Sequence, residues 1–539
     1  MTQYQVVIVG GGATGVGILR DLSMRGISAL LLEQGDLAHG TSSRFHGLLH
    51  SGARYAVKDP VSASECIEEN IILKRIAFHC ISDTGGWFVQ MPEDDPSYVK
   101  QWFEGCGQAG IPVREISPSE AYKKEPLMCK TVERVFEVPD ATVDGFKLVW
   151  ANAKSARRYG GDYKTYHQVE RLILEDKRII GVATKNLLNG EELIVNCEIV
   201  VNAAGAWASQ IAGSIGIPID VICDKGTLLA FNQRLFQRVV NRLHPSGDGD
   251  IFVPHETITI LGTTSEIVAS PQENLPNEEE VKKLLALGEI MLPELSRHRV
   301  IRAFAGVRPL HREDSEIPGA VEEGREVSRT FALIDHEIQD GVQGFVSIVG
   351  GKFTTYRLMA EKVADWVAKK LGNTAPCRTA KENLVPEIPE TIREQALRLL
   401  PCAAAEKMLE RLGEDAENVL AEIQSDPRKG QMLCECEMVS VAEVEKVAAD
   451  EDTHHLADIR RKTRLGMGTC QGAFCTYRAL PLLWQEKGKY DPIKDELKRF
   501  INQRWKGIRP VLWGQQLRET ELTRAIYASI LEENENSGE

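Results

Sequence analysis

The sequence predicts an α/β fold with a small, mainly helical domain appended near the C-terminus, and three observations carry that prediction. The first is a β-branched run, Gln5-Val6-Val7-Ile8-Val9, that ends in Gly10-Gly11-Gly12-Ala13-Thr14-Gly15. The second is the stretch directly after it: helical character from Val16 to Arg25, a glycine stop at Gly26, and a second strand from Ile27 to Leu32 that closes on Glu33. The third is a cluster of four cysteines, Cys434-Glu435-Cys436 and Cys470 with Cys475, in a chain whose other eight are scattered singly.

Bulk properties bound the rest. A chain of 539 residues is too long for one core, so two to four domains are expected. The net charge of −14 argues against nucleic acid as a partner, because phosphate backbones require basic surface. No apolar run approaches the ~20 residues that span a bilayer, so no transmembrane segment is expected. Met1-Thr2-Gln3-Tyr4 enters a strand at once, without the basic start of a secretory signal. Scattered single cysteines fit reduced thiols in the cytoplasm better than a disulfide framework.

The glycine-rich turn has a mechanism. Only glycine turns tightly at Gly10, lets backbone approach a pyrophosphate at Gly12, and packs helix on strand at Gly15. The N-terminus of the helix then faces phosphate, and Glu33, 23 positions beyond Gly10, suits ribose hydroxyls. The fingerprint alone does not separate NAD from FAD. The hydroxyl-rich stretch from Gly40 to Gly52 favours a flavin, since it is suited to wrapping pyrophosphate and ring. Two later strand-to-turn segments, Val200 to Trp207 and Gly350-Gly351-Lys352-Phe353-Thr354-Thr355-Tyr356, offer further backbone N–H groups.

At the other end, Cys434, Cys436, Cys470 and Cys475 stand on glycine-bearing loops, separated by helices expected from Val441 to Ala449 and from His455 to Arg464. Four thiolates could hold a [2Fe–2S] cluster or a closed zinc site, and the Cys-x-Cys with Cys-x4-Cys spacing is atypical of zinc. A two-electron carrier and a one-electron carrier on one chain point to an enzyme that takes a hydride and releases electrons singly.

Seven collinear segments bear a more specific resemblance: Val9 to Gly15, Thr41-Ser42-Ser43, His50 to Tyr55, Leu261 to Thr264, Gly306 to Leu310, Ser328-Arg329 and Gly350 to Arg357. In these the chain resembles the FAD-dependent glycerol-3-phosphate dehydrogenases, within the D-amino-acid-oxidase-like flavoproteins. With its cysteine domain it is similar to the large catalytic subunits of the anaerobic, respiratory enzymes, which end in a bacterioferritin-associated-ferredoxin-like [2Fe–2S] module. The resemblance implies a discontinuous FAD domain over 1–80, 140–215 and 300–375, and an antiparallel-sheet substrate domain over 81–139 and 216–299. A linker with helices comes next at 376–429, then the [2Fe–2S] domain at 430–482 and a tail at 483–539.

The implied reaction is oxidation of sn-glycerol 3-phosphate to dihydroxyacetone phosphate, with electrons passing from FAD through [2Fe–2S] to companion electron-transfer and membrane-anchor chains and a quinone. The protein would then lie in the cytoplasm, held at the inner face of the membrane by those partners. The implied cofactor contacts are Gly10, Gly12, Gly15, Glu33, Thr41, Ser42, Ser43, Gly47, Leu49, Val169, Ala204, Gly205, Gly350, Gly351, Lys352 and Thr354. Arg54, Tyr55, Arg308 and Arg329 are the candidate substrate contacts, because arginine forks suit phosphate oxygens. The bland reading of each arginine is an ion pair with an acid.

The base is the open position. Aerobic relatives carry a histidine two residues after a Lys-Gly pair, but here Lys225-Gly226 is followed by Thr227-Leu228. His50 and His255 are the candidates in its place, with Lys352 to stabilise charge on the reduced ring. Two other readings remain: a flavin-dependent dehydrogenase of another small 2-hydroxy acid, and an amine or amino-acid oxidase with a structural metal site. The tail, with an amphipathic-looking stretch from Leu517 to Ile530, is expected to dock back on the flavin domain.

Overall fold

The computed structural model describes residues 2–311, 324, 330–487 and 493–530. Two sheets organise it. The first has eight strands and is built on Thr2–Val9, which lies parallel between Ala29–Leu32 and Glu192–Asn202. Asp162–Lys164 extends the sheet beyond Ala29–Leu32. An antiparallel meander, His167–Glu175, Arg178–Asn186 and Glu192–Asn202, extends it the other way. The far end of Glu192–Asn202 also pairs in parallel with Phe345–Gly350, which carries Phe331–Asp335 on its other edge.

The first strand is buried on both faces, as its unbroken apolar run requires. Val6 and Ile8 enter a core shared with the helices Ala13–Met24, Gly145–Arg158 and Tyr356–Lys370. Val7 and Val9 enter the opposite core, with Val169, Leu172 and Val182 of the meander.

The second sheet has nine strands, antiparallel except where Val239–Arg242 runs parallel to Gly86–Gln90. Its long pair is Val221–Phe231 against Val300–His311, in a register that sets Asp224 opposite Arg308 and Gly226 opposite Gly306. The sequence boundaries assign residues 300–311 to the flavin domain; their pairing puts them in the substrate sheet instead. Twelve residues of β-structure facing a partner of nearly the same length outweigh the chain connection to the residues beyond them.

Three helices, Glu390–Leu399, Cys402–Leu412 and Ala416–Ser425, pack on one another after the linker. The cysteine-bearing domain then opens with the hairpin Met432–Cys434 and Val439–Ser440. Its first helix, Val441–Ala449, starts where Ser440 and Glu443 form a reciprocal capping box. Leu456–Thr463 and Cys475–Lys487 complete its core.

The tail departs from expectation. Ile493–Ile508 packs Leu497 and Phe500 on the cysteine-domain core and leads into a turn whose Val511 is buried in the substrate-domain core, so the docking seen among the described residues is on those two domains. The final helix, Gly514–Ile530, leaves Leu522 and Ile526 exposed. The polar end of the chain, Glu532 to Glu539, whose composition leads to an expectation of fraying, lies outside the described residues.

Candidate active site

The glycine turn is built as the fingerprint demands. Gly10 has φ +112°, and a Cβ there would lie 2.6 Å from the Ala203 carbonyl oxygen. A Cβ on Gly15 would overlap the Gly10 carbonyl oxygen, so helix and turn meet without room for a side chain. Gly12 is the N-cap of the first helix and supplies no side chain to its free N–H groups, one of which, on Ala13, donates to Ser42 Oγ at 2.9 Å. The Glu33 carboxylate accepts from Gly11 N–H at 2.6 Å and from Gly35 N–H at 2.8 Å, although burial pushes its pKa up.

This turn opens into a cavity of about 920 Å³. Gly10, Gly12, Glu33, Thr41, Ser42, Val169, Ala204, Gly205, Gly350, Gly351 and Lys352 all line it. The set has the shape a dinucleotide needs: small residues where backbone must come close, hydroxyls beside the free N–H groups, and an acid at the end of the second strand. Five of the expected contacts do not line the cavity. Gly15 packs helix on strand, Ser43 donates to the Gly40 carbonyl at 3.2 Å, and Leu49 is core. Gly47 turns at φ +79° against His255, and Thr354 is buried beneath His50.

The same cavity is lined by Arg54, Tyr55, Arg308, His46 and His50. Arg308 donates to Asp224 at 2.7 Å and to the Thr264 carbonyl at 3.2 Å. Gly226 makes this possible, since a Cβ there would overlap the guanidinium. Arg54 reaches Asp250 at 2.8 Å. Both arginines therefore have the acid partner of the bland reading and still present themselves to the cavity. The Asp250 carboxyl is buried, which raises its pKa, yet Arg54 and His244 hold it well below the usual range. Lys352 Nζ donates to Ser62 Oγ at 2.7 Å and sits 5.0 Å from the Tyr55 ring centroid. Arg329 lies outside the described residues.

The histidines separate clearly. His50 is fixed by its backbone: its N–H donates to Thr354 Oγ1 at 3.1 Å and its carbonyl accepts from Asn70 at 3.2 Å. Burial, then His46, Arg54 and Lys352, push its pKa well below 6.5. His46, whose ring centroid is 5.6 Å from that of His50, is lowered to about 3 by burial and by Arg308 and Arg54. Both shifts favour the neutral ring, but His46 Nδ1 already accepts from the Leu48 N–H at 3.1 Å, which leaves His50 as the one of this pair able to act as a base. His255 does not line the cavity; it is half-buried behind Gly47, near Asp144 and Arg464. Leu228 is core. His46 is missing from the sequence candidates because a lone histidine in a loop carries no signal; its companions Phe45 and Phe353, stacked at 4.4 Å on the cavity wall, are equally silent.

The four cysteines come together in part. Among the described residues no closed group of three or more His, Cys, Asp or Glu side chains forms a metal site. Cys475 nevertheless stands beside both Cys434 and Cys470, and Cys436 Sγ lies 3.7 Å from Thr469 Oγ1. The Cys470 thiol is held down by Cys475 and by the backbone N–H groups of Gly472, Phe474 and Ala473. Cys434 is held down by Cys475 and by N–H groups of Gly466 and Glu437. Backbone donors aimed at sulfur favour thiolate at Cys434 and Cys470, whereas burial raises Cys436 and the two neighbouring sulfurs raise Cys475.

Comparison with known proteins agrees with this geometry. The profile of the FAD dependent oxidoreductase family matches residues 5–366. The chain is 42% identical to the A subunit of the anaerobic glycerol-3-phosphate dehydrogenase of Escherichia coli (strain K12), over 97% of this chain and 96% of that one. It is also 42% identical to the A1 subunit of the anaerobic glycerol-3-phosphate dehydrogenase of Haloferax volcanii, over 98% of this chain and 91% of the relative. The fold matches that of the glycerol-3-phosphate dehydrogenase from Bacillus halodurans complexed with FAD, at a TM-score of 0.71 and 21% identity, covering 95% of this chain and 96% of the other. The chain belongs to the FAD dependent oxidoreductase family and, within it, to the anaerobic glycerol-3-phosphate dehydrogenase A subunits.

Proposed function

We propose that this chain oxidises the C2 hydroxyl of sn-glycerol 3-phosphate, giving dihydroxyacetone phosphate. The observation that carries the reading is a single cavity lined both by the dinucleotide turn and by Arg54, Arg308, Lys352, His46 and His50. Bound FAD supplies the hydride acceptor. The protein's own groups do the rest. The neutral His50 imidazole takes the hydroxyl proton; His46, whose Nδ1 already accepts from the Leu48 N–H at 3.1 Å, carries its ring proton on the other nitrogen. Arg54 and Arg308, each oriented by an acid partner, keep further N–H donors for a phosphate that carries about two negative charges. Lys352 adds positive charge at the same wall.

Cys434, Cys436, Cys470 and Cys475 would hold a [2Fe–2S] cluster, which supplies a one-electron carrier. The relatives are named as subunits, which supports companion electron-transfer and membrane-anchor chains leading to a quinone. Among the described residues no helix is long and apolar enough to cross a membrane, so attachment at its cytoplasmic face would come from those companions.

Anaerobic mixing of the FAD-loaded protein with glycerol 3-phosphate tests the reading. The flavin absorbance should bleach with that substrate and not with lactate, 2-hydroxyglutarate or glycine. Bleaching by one of those and not by glycerol 3-phosphate overturns it. Stoichiometric zinc without iron in anaerobically purified protein overturns the cluster assignment.

A further inference from the structure

The loop that follows Glu33 is held from both ends of the chain. Glu33, Gln34 and His39 line the cavity, and His167 lines it with them. The residues between Gln34 and His39 are tied back to the glycine turn: Ala38 N–H donates to the Gly11 carbonyl at 3.0 Å, and a Cβ on Gly11 would lie 2.7 Å from the Leu37 side chain. Tyr166 N–H donates to the Gly35 carbonyl at 2.9 Å, and His167 N–H to the Glu33 carbonyl at 2.8 Å. Two residues of this frame, Ala38 and Tyr166, stand at φ +58° and +57°. Residues with a Cβ rarely adopt that region, so the frame keeps its shape only where its surroundings hold it.

Those surroundings belong to the cysteine domain. Arg461, on the helix Leu456–Thr463, donates through Nε to Asp36 at 2.6 Å and through Nη2 to Asp458 at 2.7 Å. One oxygen of Asp36 takes this bond, and the other accepts from Leu37 N–H at 2.9 Å. Asp458 in turn accepts from the Tyr166 hydroxyl at 2.7 Å and from the N–H groups of His454 and His455, each at 2.9 Å. These contacts close a ring, from Asp36 through Arg461, Asp458 and Tyr166 to Gly35, that crosses from one domain to the other and back. Both carboxylates have 0% side-chain exposure and share one guanidinium. A buried carboxylate that loses its cation becomes an uncompensated charge, so the ring strongly favours one arrangement. Its charge is also felt at the cavity: burial pushes the Glu33 pKa up, and Arg461 opposes that shift.

We propose that Arg461 is a positioning residue for the cofactor, and that the cysteine domain sets FAD affinity by locking the loop from Gly35 to His39 through this ring. Arg461 does not line the cavity; it acts through Asp36 and Tyr166 on the backbone that carries Glu33, His39 and His167. Coupling of this kind is reciprocal: FAD in the cavity fastens the cysteine domain by the same factor by which the docked domain tightens FAD. The proposal rests on the reading that this cavity holds FAD with its ribose at Glu33.

Titration of deflavinated full-length protein with FAD, followed by the quenching of flavin fluorescence, gives the dissociation constant. A parent that does not bind FAD overturns the flavin reading itself. Given binding, Arg461→Met should weaken FAD by about tenfold or more, a coupling of ordinary size. Arg461→Lys keeps a charge for Asp36 but cannot fork to Asp458 as well, so its affinity should fall between the two. Lys462→Met removes the neighbouring charge from the same helix and should bind FAD as the parent does, since its partners, Asp452 and Thr453, stand outside the ring. The proposal is overturned if Arg461→Met binds FAD with parental affinity or, should that variant not fold, if Arg461→Lys does. It is equally overturned if Lys462→Met weakens FAD as much as the Arg461 variants do.

Discussion

Arg464 and Asp144 form a buried ion pair across a domain boundary, 2.7 Å apart, with side chains only 5% and 6% exposed. Arg464 also holds Glu437, beside Cys436, at 2.8 Å. Asp144 caps the helix Gly145–Arg158, accepting from the N–H groups of Phe146 and Lys147. One guanidinium thus ties the cysteine loop to a helix of the flavin domain.

Arg464→Met should therefore destabilise the protein by about 3–5 kcal/mol, because it strands two buried carboxylates. Chemical denaturation measures this, and Arg464→Met combined with Asp144→Asn should recover part of the loss. The pH dependence has a definite sign. Burial raises the Asp144 pKa, but Arg464 outweighs it and holds the carboxyl well below its ordinary range. A depressed folded-state pKa contributes stability above the unfolded value of about 3.9 and loses it as pH falls further. The pair should be insensitive to pH near neutrality.

His50→Ala and His46→Ala should each be assayed for flavin reduction with FAD content held as the control. Loss of the true base should slow reduction by about 10²–10⁴-fold at parental FAD content. His255→Ala should reduce at close to the parental rate, since His255 does not line the cavity. Parental rates in both cavity variants would leave the proton without an acceptor among these histidines.

The neutral state of these rings predicts an unusual pH profile. At saturating substrate, flavin reduction should stay level as pH falls through about 6.5, the value at which a free imidazole base would be lost. Stability moves differently. The unfolded chain binds protons below about 6.5 that folded His46 refuses until about 3, so its contribution to stability declines as pH falls between those values.

Arg54→Ala confounds binding with folding, because Asp250 is buried and loses its partner. Arg54→Lys is the cleaner variant: it should raise KM for glycerol 3-phosphate while leaving the thermal midpoint near that of the parent. A lysine offers a point charge where a fork stood. An unchanged KM would remove Arg54 from the phosphate site.

Gly15→Ala should yield protein without flavin, because the added methyl meets the Gly10 carbonyl oxygen. The absorbance ratio of flavin to protein after purification reads this directly.

What the sequence disclosed was local. The strand, glycine turn and helix of the first thirty residues arise from patterns a few residues long, and the helix Val441–Ala449 is announced by Ser440 and Glu443. What it hid was pairing at a distance. Asp224, on a strand, and Asp250, just before one, orient Arg308 and Arg54 from far along the chain, and the register of Val221–Phe231 against Val300–His311 is written in neither strand alone. His46 stands out only once the fold sets it beside His50.

The helix Leu456–Thr463 changes how the chain can be divided. Arg461 and Arg464 neutralise Asp36 and Asp144, two carboxylates that belong to the oxidoreductase body and sit directly behind its cofactor cradle. The terminal third is thus no loose accessory: a protein cut after residue 375 would lose the cationic partner of each acid and should melt at a lower temperature than the full chain.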